Sequence, residues 1–334
     1  MVVKKPINNQ LNIRLLTVTL AVGILLLSIK FLAYFITGSN AILGDALESI
    51  VNVIAGIISL GSVIVAALPK DENHPYGHGK VEFLSAGFEG GFIAIAGISI
   101  IVKAIYNLFH PVILNEMGLG IVLIAVSGLV NYILGFVLIQ KGKKSHSVAM
   151  LASGEHLKTD TYTTIGLLVG LLLIWLTGIV WLDQVVAILL GVFILYSGYK
   201  ILKTALSGIL DETDMELILD IIKVLHQNRR ENWIDIHNLR VIKYGSSLHI
   251  DCHVTLPWYI NLQEAHDEIT LIDEQVNDYL PNNVELFIHE DPCVPNSCSI
   301  CIKKNCSVRQ KEFIGESEWN LKNVLSNQKH SRKV

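Results

Sequence analysis

Residues 41–68 read AILGDALESIVNVIAGIISLGSVIVAAL, an apolar run long enough to cross a bilayer as a helix, into which Asp45, Glu48 and Asn52 are set. Glu48 and Asn52 are four apart, which on a helix makes them stacked neighbours on one face. A second long run, near 147–179, contains EHLKTD at 155–160, where His156 and Asp160 repeat the spacing. Two such helices supply four convergent ligands: two carboxylates, an amide oxygen and an imidazole. The two negative charges balance a divalent cation, and the imidazole favours a transition metal over magnesium or calcium. Ionisable groups at bilayer depth are costly unless they pair, face water or hold an ion. For any one of these residues the alternative is a snorkelling or packing role, but two coincident i,i+4 pairs argue against it for the set. His156 is also a proton acceptor near neutral pH, and metal ligands must shed protons to bind, so metal and proton occupancy compete. That competition is the physical basis of antiport.

Outward from these two runs, hydropathy marks about six apolar stretches, near 12–36, 41–68, 83–108, 117–140, 147–179 and 180–207, each able to span the hydrocarbon core. The chain of 334 residues is 51% hydrophobic and only 17% charged, with a mean hydropathy of +0.48, the balance of a membrane protein with a soluble piece. Its net charge of −4 provides no clustered basic footprint, so nucleic acid is set aside as a partner. The start, MVVKKPINNQ, shows no short apolar core ending in a small-residue cleavage site. Lys4, Lys5 and Arg14 precede the first span, Lys70 and Lys80 lie between the second and third, and KGKK at 141–144 follows the fourth. The alternate connectors are almost free of basic residues. The positive-inside rule therefore expects both the N-terminus and the C-terminal domain to be cytoplasmic.

The expected domains are a cytoplasmic N-terminus (1–11), a six-helix transmembrane domain (12–208), a soluble domain (209–292) and a cysteine-containing tail (293–334). After Leu210 the composition turns polar at DETDMELILD. The pattern predicts a helix near 213–228, strands near 234–243 and 247–256 about a turn at Tyr244, Gly245 and Ser246, a helix near 261–279 and a strand near 284–289. The order αββαβ suits a small sheet covered on one face by helices. The polar end, SEWNLKNVLSNQKHSRKV, is expected to be loosely ordered.

Three further clusters bear on metal. Asp71, His74 and His78 form D-x-x-H-x-x-x-H between spans two and three, a set able to close around an ion. His237, His253, His266, His289 and Asp291 recur on the strands and one helix of the soluble domain, with His249 also available. Cys293, Cys298, Cys301 and Cys306 have four, two and four intervening residues, compact enough to wrap one ion. Structural zinc, a sensing or delivery role, and no metal at all are the readings open for them, and the plant-type iron–sulfur spacing fails at the fourth cysteine. Cys252, between Asp251 and His253, reads as a buried small apolar residue.

The motifs SNAILGDALESIVN, HPYGHGKVE, EHLKTD and FIHEDPC resemble those of the cation diffusion facilitators, and the likeness runs from about residue 12 to 293. That resemblance implies a six-span divalent metal/proton antiporter with a ferredoxin-like cytoplasmic domain. It implies an intramembrane transport site of Glu48, Asn52, His156 and Asp160, a loop site of Asp71, His74 and His78, and a cytoplasmic site of His237, His253, His289 and Asp291 with His266 nearby. It also implies a homodimer steadied by a charge contact at Lys80, whose acidic partner is Asp45 or Glu72, because Ala46 holds the matching position. Asp45 is a possible auxiliary charge. Zinc is the first choice of metal and ferrous iron the next, with Co2+, Cd2+ and Mn2+ open, and no organic cofactor is implied. Related zinc carriers place Asp or His at 48 and Asp at 52, so Glu48 and Asn52 loosen the metal assignment. The expected location is a bacterial inner (plasma) membrane. The competing reading is a membrane-tethered metal sensor with the cytoplasmic clusters as its working part. An enzyme is not expected: no H-E-x-x-H pairing occurs, and Glu155–His156 lacks a second histidine. Lys30 and the segment GFEGG around Glu89 have no evident partner, and close helix packing at the glycines is the simplest role for the latter.

Overall fold

The computed structural model describes residues 9–37, 40–109, 118–177, 181–245, 247–280 and 283–332, the side chains of 9, 33–34, 36–37, 40–48, 118–121, 123–124, 167–168, 170–177, 182–183 and 283 falling outside that description. The chain divides into two compact units, Asn8–Leu210 and Asp211–Val334.

The first unit is helical. Among the described residues its long helices are α1 (Asn9–Thr37), α2 (Asn40–Ala66), α3 (Val81–Phe109), α4 (Gly118–Ser145), α5 (Val148–Thr177) and α6 (Trp181–Ile209). Among the described residues, stretches of α1, α2, α3, α4 and α6 are long and apolar enough to cross a membrane; much of the apolar half of α5 lies outside them. The most extensive packing is α3 on α6, α4 on α5 and α1 on α2. Glycine permits the first two contacts. A Cβ on Gly198 would stand 2.8 Å from the backbone nitrogen of Ala94 and 2.9 Å from the carbonyl oxygen of Gly90, while one on Gly154 would stand 3.0 Å from that of Gly135. Without aqueous solvent to drive association, small residues allow backbones to approach closely enough for dispersion to hold them. Gly90 thereby supports the packing role expected for GFEGG. The buried carboxylate of Glu82, in the first turn of α3, accepts from the Ser147 hydroxyl at 2.6 Å and the Ala149 N–H at 3.2 Å. It sits at the α5 N-terminus, where unsatisfied N–H groups and the helix dipole favour an anion.

The second unit runs α7 (Met215–Gln227), β1 (Asp235–Tyr244), β2 (Ser247–Leu256), α8 (Leu262–Tyr279), β3 (Asn283–Pro292), a 3₁₀ turn at Pro295–Ser299 and the short α9 (Leu321–Val324). The sheet order is β1-β2-β3, with β1 and β2 antiparallel and β2 and β3 parallel across the α8 crossover. This is the αββαβ order expected, with β3 prolonged to Pro292 because its parallel pairing continues to Leu256. Asp214 caps α7, accepting from the N–H groups of Glu216 and Leu217, and Asn261 with Glu264 forms a capping box on α8. The alternate residues Leu248, Ile250, Cys252, Val254 and Leu256 pack under the helices with Ile218, Ile221 and Ile272. Cys252 is a core residue as expected, its thiol pushed up to about 12 by burial and the adjacent Asp251.

The polar end is not loose. Trp319 and Val324 join this core, and the Arg229 guanidinium lies 4.2 Å over the Trp319 ring. A tryptophan and a few aliphatic residues suffice to fix a polar segment when a groove beside β1 accepts them.

Candidate metal centres

In the helical unit, Asn52 on α2 reaches two residues of α5. Its side-chain amide donates to Asp160 Oδ2 at 2.6 Å, and its Oδ1 lies 2.9 Å from His156 Nε2. Because the amide nitrogen is committed to Asp160, the oxygen faces the imidazole and Nε2–H must be the donor. His156 is 7% exposed and Asn52 half-buried, and both line a pocket that also holds Glu89, Ser153, Leu16 and Leu20. Three of the four residues expected at the transport site thus form one hydrogen-bonded line. The side chains of Glu48 and Asp45 lie outside the described residues. Glu89, which the sequence left without a partner, is fully buried, with Oε1 2.5 Å from the Ser153 hydroxyl. That hydroxyl is in turn 2.7 Å from Ser59 Oγ. The Lys30 ammonium donates to Ser49 Oγ at 2.8 Å.

Between α2 and α3, Asp71 gathers the loop histidines. Its Oδ1 accepts the His74 N–H at 2.6 Å and lies 3.0 Å from His74 Nδ1, while Oδ2 is 3.3 Å from His78 Nε2. The two rings are 4.4 Å apart. Gly77 at φ +91° turns the chain between them, a conformation side chains rarely adopt. The His74 N–H, outweighing desolvation, holds the Asp71 carboxyl below its usual range. Lys80 is half-buried just before α3, and Glu72 is exposed.

In the second unit, strand register builds the site. His237, His253 and His289 stand opposite one another on β1, β2 and β3, and Asp235, Thr255 and Asp291 form the next row on the same face. Side chains two apart on a strand share a face, so an acid row borders a histidine row. Asp291 Oδ2 lies 3.3 Å from His237 Nε2 and 3.1 Å from His253 Nδ1, and the His253 and His289 rings are 4.7 Å apart. His237, His253 and Asp291 offer ligand atoms within 4.8 Å of one another, as do Asp71, His74 and His78. His266 is exposed on α8 and is not among them. His249 faces Glu285 at 3.2 Å.

Three residues here went unsingled by sequence reasoning. Asp235 is 1% exposed and accepts from the His330 N–H at 2.8 Å, with His330 Nδ1 at 2.9 Å. Lys329 Nζ lies 3.0 Å from Asp291 Oδ1. The irregular pairing between His237 and Arg240, with Asn238 at φ +53°, turns the Asn238 N–H outward to the Ser326 carbonyl at 2.7 Å and lets the end of the chain reach the site. Burial alone would raise both carboxyls. His237 and His330 lower Asp235 below its usual range, and Lys329 with His253 does the same for Asp291.

Residues 16–210 match the cation efflux transmembrane domain family, and residues 213–293 match the cytoplasmic domain of cation efflux proteins. The chain belongs to the cation diffusion facilitator family. Among relatives of this cation efflux transporter, an uncharacterized transporter of Synechocystis sp. is 34% identical over 250 residues, 75% of this chain and 81% of that protein. The cation-efflux pump FieF of Citrobacter koseri is 30% identical over 278 residues (80% and 89%), and that of Serratia proteamaculans 29% over 283 (82% and 90%). The facilitator family handles divalent metal ions, consistent with the ligand clusters above. The family match to the cytoplasmic domain ends at Cys293, so Lys329 and His330 lie beyond it.

Proposed function

We propose that the protein exports a divalent transition metal, zinc first and ferrous iron next, from the cytoplasm in exchange for protons, by alternating access of a homodimer in a bacterial inner membrane with both termini cytoplasmic. The observation that carries the reading is the Asn52 bridge between His156 and Asp160, which joins an amide oxygen and an imidazole lining one pocket to a carboxylate on the same helix as the imidazole. Glu48, one helical turn before Asn52, is assigned as the fourth ligand and supplies the second negative charge a dication needs.

These hydrogen bonds support a coupling of metal to protons. With the imidazole doubly protonated, His156 Nε2–H donates to Asn52, and binding an ion through Nε2 releases that proton while Nδ1 keeps its own. The Asn52 amide that satisfies Asp160 must swing away for the carboxylate to face an ion. Loading from the cytoplasm therefore releases protons there, and unloading on the far side takes protons up, which is the stoichiometric sense of antiport. A site between two helices of a bundle suits exposure to alternate sides as the helices repack. The name of the C. koseri relative, a cation-efflux pump, supports the direction. The loop and cytoplasmic clusters are assigned to regulatory or structural metal.

Proteoliposomes holding the purified chain and a trapped pH dye test the reading. Zinc added outside should drive proton movement that His156→Ala and Asp160→Ala abolish while both variants still purify as folded dimers. Metal uptake without any pH change would sink the antiport reading.

A further inference from the structure

We propose that Cys293, Cys298, Cys301 and Cys306 bind one thiophilic divalent ion, zinc by preference, and that this ion staples the C-terminal segment to the sheet. The site is separate from the transport pocket, the loop cluster and the histidine rows.

All four thiols line one pocket, with Tyr259 and Arg309 in its wall, and none is in a disulfide. They come from a segment shaped to deliver them. The Cys293 N–H donates to the Leu256 carbonyl at 2.8 Å, fixing the first sulfur at the end of the sheet. The 3₁₀ turn Pro295–Ser299, begun by the Val294 N–H on Ser297 Oγ at 3.2 Å, carries Cys298, and Cys301 follows the buried Ile300. Arg309 then closes the loop, donating to the carbonyls of Cys298 at 2.9 Å, Cys301 at 3.0 Å and Lys303 at 2.7 Å. These bonds hold a stretch with little regular structure in one shape.

Burial and the neighbouring sulfurs push the Cys293 and Cys301 thiols up, a cost that a bound cation offsets; opposing that rise, the Trp258 N–H is aimed at the Cys293 sulfur and the Lys303 N–H at that of Cys301. Amide-to-sulfur hydrogen bonds and nearby cations favour the anionic form that a metal requires. Four soft thiolates select zinc over hard cations and close around it tetrahedrally. The sulfurs are not among the groups lying within 4.8 Å, so binding draws them inward from their present spacing. Ser299 transmits the effect. Its carbonyl accepts from the N–H groups of Ile314 and Gly315, and its hydroxyl from that of Arg332, tying the cysteine loop to the same segment that lays Lys329 and His330 on the histidine rows.

The test loads the full chain, purified in detergent under reducing conditions, with cobalt. Thiolate-to-cobalt charge-transfer absorption should appear, vanish in the Cys298→Ser, Cys301→Ser double variant and persist in a His237→Ala, His253→Ala double variant. Elemental analysis should show about one fewer zinc per chain in the serine variant. Protease should cut between residues 303 and 332 faster in that variant or in wild type stripped of metal. A cobalt spectrum without charge transfer, charge transfer that survives the serine substitutions, or iron accompanied by acid-labile sulfide would each overturn the assignment.

Discussion

The Lys329 ammonium stands 3.0 Å from Asp291 Oδ1 and also donates to the Pro292 carbonyl at 3.0 Å, so the far end of the chain neutralises the carboxylate that His237 and His253 share. A cation already on that carboxylate competes with a metal for it. Lys329→Met keeps the side-chain length and removes the charge. In a His156→Ala background, which removes the transport site, metal affinity measured by competition with a chelating dye should rise about three- to tenfold, as expected for one partly exposed charge at this range. Unchanged or weaker binding would show that Lys329 holds the end of the chain without opposing the metal.

Asn52 should prove as important as the charged residues it joins. Asn52→Leu removes the donor to Asp160 and the oxygen beside His156 while keeping the branched shape and the number of side-chain heavy atoms. Groups that orient metal ligands typically matter by about 10- to 100-fold, and transport in proteoliposomes should fall at least that far. The thermal midpoint should move little, because Asn52 is half-buried and outside the apolar clusters of the helical unit. Transport within a factor of two of wild type would remove Asn52 from the site.

Asp214 links a helix cap to an ion pair. Besides capping α7 it receives the Lys243 ammonium at 2.5 Å. Its partial burial alone would raise the carboxyl, but Lys243 and the two cap N–H groups bring it below the usual value. A carboxylate with a depressed folded-state pKa stabilises the fold above its unfolded value, near 4, and loses that contribution as pH falls through the lower folded value. Asp214→Ala should therefore cost ~1 kcal/mol near neutral pH, the usual worth of such a cap, and the difference should shrink below pH ~4. Denaturant melts of the full chain followed by tryptophan fluorescence, to which the buried Trp233 and Trp319 contribute, provide the measurement. A destabilisation that grows on acidification would contradict the sign.

Local periodicity carried much of this architecture in advance. Apolar length placed the long helices, and alternation placed β1 and β2 within a residue of their observed bounds, because both signals are written within a few neighbouring residues. The i,i+4 pairs likewise set Asn52, His156 and Asp160 on facing helices. Register was not legible. That His237, His253 and His289 form one row depends on pairing between segments up to 52 residues apart and on the irregularity at Asn238. Asp235 with His330, 95 residues on, lay further out of reach. Trp319 looked like an isolated aromatic in a polar stretch, and only the groove formed by α7, β1 and Arg229 reveals it as core. His266, which the resemblance places near that site, is exposed on α8 and is not among the ligand atoms gathered within 4.8 Å.

The contact of α3 with α6 supplies the last prediction, since it rests on missing side chains. Gly198 lies against backbone atoms of α3, and a methyl group there would meet the Ala94 nitrogen at 2.8 Å and the Gly90 carbonyl at 2.9 Å, contacts no rotamer change can relieve. Gly61 on α2 has nothing within 4 Å of the same added atom. Helix propensity favours alanine over glycine by up to ~1 kcal/mol at both positions, so the difference between them isolates packing. Gly198→Ala should lower the thermal midpoint in detergent and reduce transport, because overpacking typically costs about 1–3 kcal/mol when the neighbour is rigid. Gly61→Ala should leave both unchanged or raise the midpoint slightly. Equal behaviour of the two variants would mean that α3 and α6 are held apart at a wider spacing than the close glycine contact described above.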